Sequence, residues 1–137
     1  MNTKIIMKSS ALLLGFTGLM LTFFPQELSE SLGQLESDMM TRSLEVIGAM
    51  YLAFGMMNWM SRKSLIGGIY NRPIAIANMT HFMMVGIILT KWKIGNHDLP
   101  YGFWVIVLIY LFFAAVFIKI LFTTPKIGSL EQDSNQG

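Results

Sequence analysis

The sequence predicts an all-α membrane protein, a four-transmembrane-helix bundle with its N- and C-termini in the cytoplasm. Three observations carry that expectation. Four long apolar runs divide the 137 residues, the charged residues cluster between the runs, and lysine and arginine fall mostly on one side of them. Apolar residue types make up 53% of the chain and charged ones 13%, against about 25% charged in an average soluble domain. A soluble domain of this size would need polar surface that this chain lacks.

A hydrocarbon core of about 30 Å takes roughly 20 apolar residues in a helix. The first run, about 5–24, stops at Pro25. The second, about 41–60, ends before Ser61-Arg62-Lys63. The third covers about 73–90 and the fourth about 101–122. In lipid every backbone amide must be paired internally, so runs of this length are expected to be helices. A barrel would show short strands of alternating polarity, and the sequence has no such alternation. Lys4, Lys8, Arg62, Lys63, Arg72, Lys119 and Lys126 flank one side of the spans, and Arg42, Lys91 and Lys93 the other. The richer side is the cytoplasmic one. Trp92, Tyr101 and Trp104 then fall at outer span ends and Trp59 at an inner one, as interfacial aromatic residues do. Lys119, in the last turns of the fourth span, can snorkel to the inner head groups. Lys4 and Lys8 ahead of an apolar run also fit a secretory signal peptide. Cleavage needs small residues, however, and Leu21-Thr22-Phe23-Phe24-Pro25 offers bulky ones, so the first span is expected to stay.

The connections carry weaker signals. The outer loop, 26–40, holds Glu27, Glu30, Glu36 and Asp38. Pro25 suits the first turn of a helix, and Leu28, Leu32, Leu35 and Met39 recur at helical spacing. A short amphipathic helix on the outer surface is expected there, with a plain linker as the alternative. Gly67-Gly68 allows a turn or close packing, and Pro73 suits the start of the third helix. The polar tail, 123–137, is expected to be disordered. No internal repeat is present, so an inverted-repeat transporter within one chain is not supported.

Composition removes several functions. The absence of cysteine excludes thiolate nucleophiles, iron–sulfur clusters and Cys-ligated zinc. Of the two histidines, His97 lies in an outer loop, so a zinc site or bis-histidine haem lacks ligands. His81 has no serine partner at matching depth for hydrolase chemistry. Gly67-Gly68 lacks the remaining residues of a phosphate loop. No cofactor and no metal are expected, and the twelve methionines are read as fillers of apolar gaps. The basic residues sit at span ends rather than in a stripe among aromatic residues, so no nucleic acid is expected as a partner.

What remains are polar groups at membrane depth, which are costly and usually face the protein interior. They are Glu45, Asn58, Asn78 and His81, with Tyr51 and Tyr110. On the second span Glu45, Gly48, Leu52, Gly55 and Trp59 share a face suited to close packing, while Val46, Met50, Phe54 and Met57 suit lipid. On the third span Asn71, Ile74, Asn78, His81, Val85 and Ile88 share a face. A polar seam between the second and third spans is inferred. Its candidate ligand-binding residues are Tyr51, Asn58, Asn78 and His81, and Glu45 is the candidate buried charge or proton-handling group. Each also has a plainer role: an interhelical hydrogen bond for either asparagine, a satisfied core position for His81, and an ion pair with Arg42 for Glu45.

Leu14-Gly15 with Phe23-Phe24-Pro25 closing the first span, and Arg42 ahead of Gly48-Ala49-Met50-Tyr51-Leu52-Ala53-Phe54-Gly55, resemble small four-span bacterial membrane proteins of the DoxX-like kind and related uncharacterised families. The resemblance covers mainly the first two spans. It implies a compact four-helix fold in the bacterial inner membrane. Some members of such families are linked to quinone or redox partners, whereas this sequence has no cysteine and no recognisable redox motif. Three functions stay open. The first is a non-enzymatic accessory subunit or binder of a small lipophilic molecule. The second is an oligomeric small-molecule or proton-coupled transporter using Glu45. The third is an intramembrane enzyme using His81 with Asn78. The expected partners are the lipid bilayer, a small lipophilic ligand, and a second copy or another membrane-complex subunit.

Overall fold

The computed structural model describes residues 2–31 and 37–123. Among them every regular element is a helix, apart from one isolated antiparallel bridge between Gly67 and Tyr70. The helices are α1 (Thr3–Phe23), α2 (Pro25–Ser31), α3 (Asp38–Met60), α4 (Arg72–Gly95) and α5 (Phe103–Phe122), with a 3₁₀ turn at Ser61–Lys63. They form two compact units, one running up to Ser64 and the other starting at Leu65.

Three of the helices, α1, α4 and α5, are long and apolar enough to cross a membrane. The fourth expected span, α3, is long enough at 23 residues but is not among them. Asp38, Arg42, Glu45, Asn58 and two glycines dilute its apolar residues. The ends of the helices also move. At α3, Ser37 accepts a hydrogen bond from the Met40 N–H (3.1 Å), a cap that starts the helix three residues earlier than hydropathy suggests. At α4 the helix continues past Thr90 to Gly95, carrying Lys91 and Lys93 as helical residues. Pro25 does open a helix, α2, and Pro73 lies in the first turn of α4. The rest of the expected outer amphipathic helix, with Leu32 and Leu35, lies outside the described residues, as does the tail beyond Thr123.

In the first unit α1 and α3 pack antiparallel over their length. Small residues make this possible, because backbones approach closely where side chains are missing. A Cβ on Gly48 would stand 2.7 Å from the Thr22 nitrogen and 2.9 Å from the Gly18 carbonyl oxygen. One on Gly18 would meet the Leu52 nitrogen (2.7 Å) and the Gly48 oxygen (2.8 Å), and one on Gly55 the Gly15 nitrogen (2.9 Å) and Ala11 oxygen (3.1 Å). The glycine-bearing face of α3 is therefore its packing face, as the sequence suggests. Val46 and Met50 on the far side are exposed, whereas Phe54 and Met57 are half-buried.

In the second unit α5 buries Phe103, Val107, Tyr110, Phe113, Ala114, Phe117, Ile120 and Leu121, a continuous stripe at the 3.6-residue period. The buried stripe of α4 is Ala75, Asn78, Phe82 and Gly86. This differs from the face expected around His81, Val85 and Ile88: His81 and Val85 are half-buried and Ile88 is 58% exposed. The reason is Phe82. Its fully buried ring stacks on Phe113 (4.9 Å between centroids) and Phe117 (5.7 Å), and that three-ring stack sets the rotation of the helix. The loop ahead of α4 is a two-residue hairpin turn, closed by reciprocal Gly67–Tyr70 backbone hydrogen bonds of 3.0 Å. Gly68, at its first central position, takes φ 57°, the conformation that glycine supplies in such turns. Asn71 follows in the left-handed region (φ 46°), and its side chain donates to the Leu65 carbonyl at 2.7 Å.

Candidate functional site

The first unit holds a buried polar contact beside an open apolar groove. Asn58, fully buried on α3, donates from Nδ2 to Ser10 Oγ on α1 at 3.1 Å. Ser10, also fully buried, donates in turn to the Met7 carbonyl at 3.0 Å. A buried polar group is tolerated only with such partners, so the pair also fixes the register of α1 on α3. Ser10 was not legible as a site residue, because serine at a helical i−3 position usually satisfies itself on the backbone. The groove runs beside this contact along the same pair of helices. It has a volume of about 310 Å³ and is lined by Ala11, Leu12 and Gly15 from α1 and by Leu52, Gly55, Met56, Trp59 and Met60 from α3.

Two glycines of this region behave differently. Gly55 is pressed against the α1 backbone, as described above. A Cβ on Gly15 would meet nothing within 4 Å, so Gly15 leaves open space where any other residue would project a side chain. At one end of the groove Arg62 stacks its guanidinium 4.3 Å from the centre of the Trp59 ring and donates a hydrogen bond to the Trp59 carbonyl. Such a cation–π contact holds a basic group at an apolar edge.

The other sequence-predicted residues are distributed between the units. Tyr51 is half-buried on α3 in the first unit. Glu45, also on α3, makes the expected ion pair with Arg42 at 3.0 Å, near the start of the helix. Asn78 and His81 belong to the second unit. Asn78 is fully buried and donates to the Ile74 carbonyl of its own helix at 2.9 Å. The His81 ring packs edge-on to Phe82 (5.4 Å) and lies 6.3 Å from the Tyr110 ring. Its described ring neighbours are therefore aromatic. Among the described residues no three His, Asp or Glu side chains gather as metal ligands.

One buried base was missed. Lys93, 8% exposed at the end of α4, donates from Nζ to the Leu99 carbonyl at 2.6 Å and stands 5.7 Å from the Tyr101 ring. Trp92 meets Phe103 edge-on at 5.3 Å. These contacts fasten the turn that joins α4 to α5, and the cation also suits the negative end of the α4 dipole. Nothing in the sequence separates Lys93 from the exposed Lys91, because its burial depends on how the turn folds back.

The fold and the groove define a class: a small helical protein with helices able to cross a membrane and an apolar groove on one helix pair. No family model matches the chain, and neither a curated protein nor a solved structure does.

Proposed function

We propose that the chain is a four-span protein of the bacterial inner membrane, with both termini cytoplasmic, that works without catalysis as a binder of a small lipophilic molecule. The location is the one that the DoxX-like resemblance implies. For α3 as the fourth span, the support is its pairing with α1. The two helices are packed from Gly18 and Gly48 at one end to Ser10 and Asn58 at the other, so α1 cannot enter lipid and leave α3 in water. The polar groups that lower the hydropathy of α3 are largely provided for, Asn58 on Ser10 and Glu45 on Arg42. The topology is open to direct measurement, because the chain has no cysteine. In intact spheroplasts an impermeant maleimide should label Ser31→Cys and His97→Cys at once, and Ser64→Cys only after lysis. Equal labelling of Ser31→Cys and Ser64→Cys would sink the four-span topology.

The binding role rests on the groove and above all on Gly15. Glycine inside a helix costs about 1 kcal/mol relative to alanine, and at this position no neighbouring atom demands it. What the missing side chain provides is space over an apolar floor, the form that lipophilic sites take. Gly15→Phe should fill the groove and leave the helix pairing intact. Native mass spectrometry of the gently extracted protein should show a co-purifying lipophilic molecule on the parent and none on this variant. Equal occupancy of the two would remove the groove as the site.

A further inference from the structure

The described carboxylates of the first unit gather towards one end, with Arg42 among them, and its other bases gather at the opposite end. Glu27, Glu30, Asp38 and Glu45 lie on α2 or in the first third of α3, at one end of the α1–α3 pair. Lys4 and Lys8 in the first turns of α1, and Arg62 and Lys63 in the 3₁₀ turn that packs against α1, lie at the other. Among the described residues of the unit, the basic end carries no carboxylate.

The residues that line the groove run towards that basic end. On α1, Lys4, Lys8, Leu12 and Gly15 recur at the three- and four-residue steps of a single helical face, so Lys8 stands one turn beyond the groove wall. On α3, Leu52, Met56 and Trp59 follow the same steps, and Arg62 comes next, stacked on Trp59. An apolar channel leading to two cations from opposite walls is complementary to one kind of molecule: a chain of methylenes ending in an anion. A neutral ligand would use the channel and leave the cations unmatched, and a soluble anion would use the cations and leave the channel empty.

We infer that the groove between α1 and α3 seats an acyl chain of an anionic phospholipid, whose phosphate is held by Arg62 and Lys8. The inference rests on the lipophilic-binding role proposed above and names the ligand class for that groove. Gly15 and Gly55 supply the depth for the chain, Trp59 the apolar edge at the level of the glycerol backbone, and the guanidinium a planar fork that matches a phosphate. Basic residues near a membrane surface attract anionic head groups, so two residues acting together are expected to give about a tenfold or greater preference for the charged head group.

The test is a titration of the full-length protein in mild detergent with phosphatidylglycerol and with phosphatidylcholine of the same acyl chains, read by native mass spectrometry. The parent should retain phosphatidylglycerol about tenfold more tightly. Lys8→Gln with Arg62→Gln should bring the two lipids to equal affinity, and Arg62→Lys, which keeps the charge, should retain most of the preference. Gly15→Phe should lose both lipids. A preference for phosphatidylglycerol that survives the double glutamine variant, while Gly15→Phe still blocks binding, overturns this inference and leaves the lipophilic role standing. Undiminished binding of both lipids to Gly15→Phe overturns the groove itself, and this inference with it.

Discussion

Replacing Gly48 with alanine should destabilise the α1–α3 pair by about 2–3 kcal/mol, whereas the same replacement at Gly15 should be neutral or stabilising by up to about 1 kcal/mol. Both changes add one methyl group to a glycine in the middle of a helix. On intrinsic propensity alone both should stabilise, since alanine is the better helix former. The difference lies in what the methyl meets. At Gly48 it would stand 2.7 Å from the Thr22 nitrogen and 2.9 Å from the Gly18 carbonyl oxygen. These are backbone atoms, which cannot swing aside as a side-chain tip can, so the helices must separate. Separation weakens the reciprocal contact in which Gly18 faces the Gly48 carbonyl, a Cα–H···O arrangement common where helices cross closely. It also strains the Asn58–Ser10 hydrogen bond. Where two helix backbones approach this closely, dispersion contacts at short range carry much of the association, so small gaps are expensive. At Gly15 the methyl enters open space. Unfolding of the purified variants in micelles gives both values. Indistinguishable stabilities, or Gly15→Ala as the worse variant, would refute the close-packing account.

These contrasts show where sequence reading stops. The helical class follows from the lengths of the apolar runs, and the packing face of α3 follows from Gly48 and Gly55 lying on one side. The partner of that face was also written in the sequence, in Ala11, Gly15, Gly18 and Thr22 at steps of four, three and four residues, but such a stripe has weight only once a matching stripe is known to oppose it. Asn58 illustrates the same gap. Its need for a polar partner was readable, while its hydrogen bond to Ser10, 48 positions away, depends on the register of two helices that composition does not set. On α4, helical periodicity gave a polar face through Asn78 and His81, and the buried stripe proved to run through Asn78 and Phe82. The rotation differs by about one residue because ring stacking against α5 outweighs the placement of a single imidazole. On α3, mean hydropathy counts Asn58 as if it were exposed, although the side chain is fully buried.

The second large effect is expected at Phe82, where truncation to alanine should cost about 3–5 kcal/mol, close to the most that one apolar side chain contributes. Phe82 is fully buried, and it is the common member of a cluster. Its ring lies 4.9 Å from Phe113, 5.7 Å from Phe117, 5.5 Å from Tyr110 and 5.4 Å from His81, with near-parallel planes towards the first two. Each well-placed aromatic pair adds about 0.5–1.5 kcal/mol beyond the area it covers, and removal of the shared ring ends four contacts at once. The loss does not require water to meet the core. It comes from a cavity that neighbouring side chains on two helical scaffolds cannot collapse to fill, since Phe113 and Phe117 are held by their own turns of α5. Phe82→Leu, which keeps part of the volume, should lose less than half as much. Phe112, exposed on α5, provides the control, because Phe112→Ala removes the same atoms from an exposed surface and should change stability by less than about 1 kcal/mol. Micellar unfolding of the three variants tests the order. If Phe112→Ala and Phe82→Ala proved equally damaging, the stability of the α4–α5 unit would reside in bulk apolar character and the stacked rings would carry no special share.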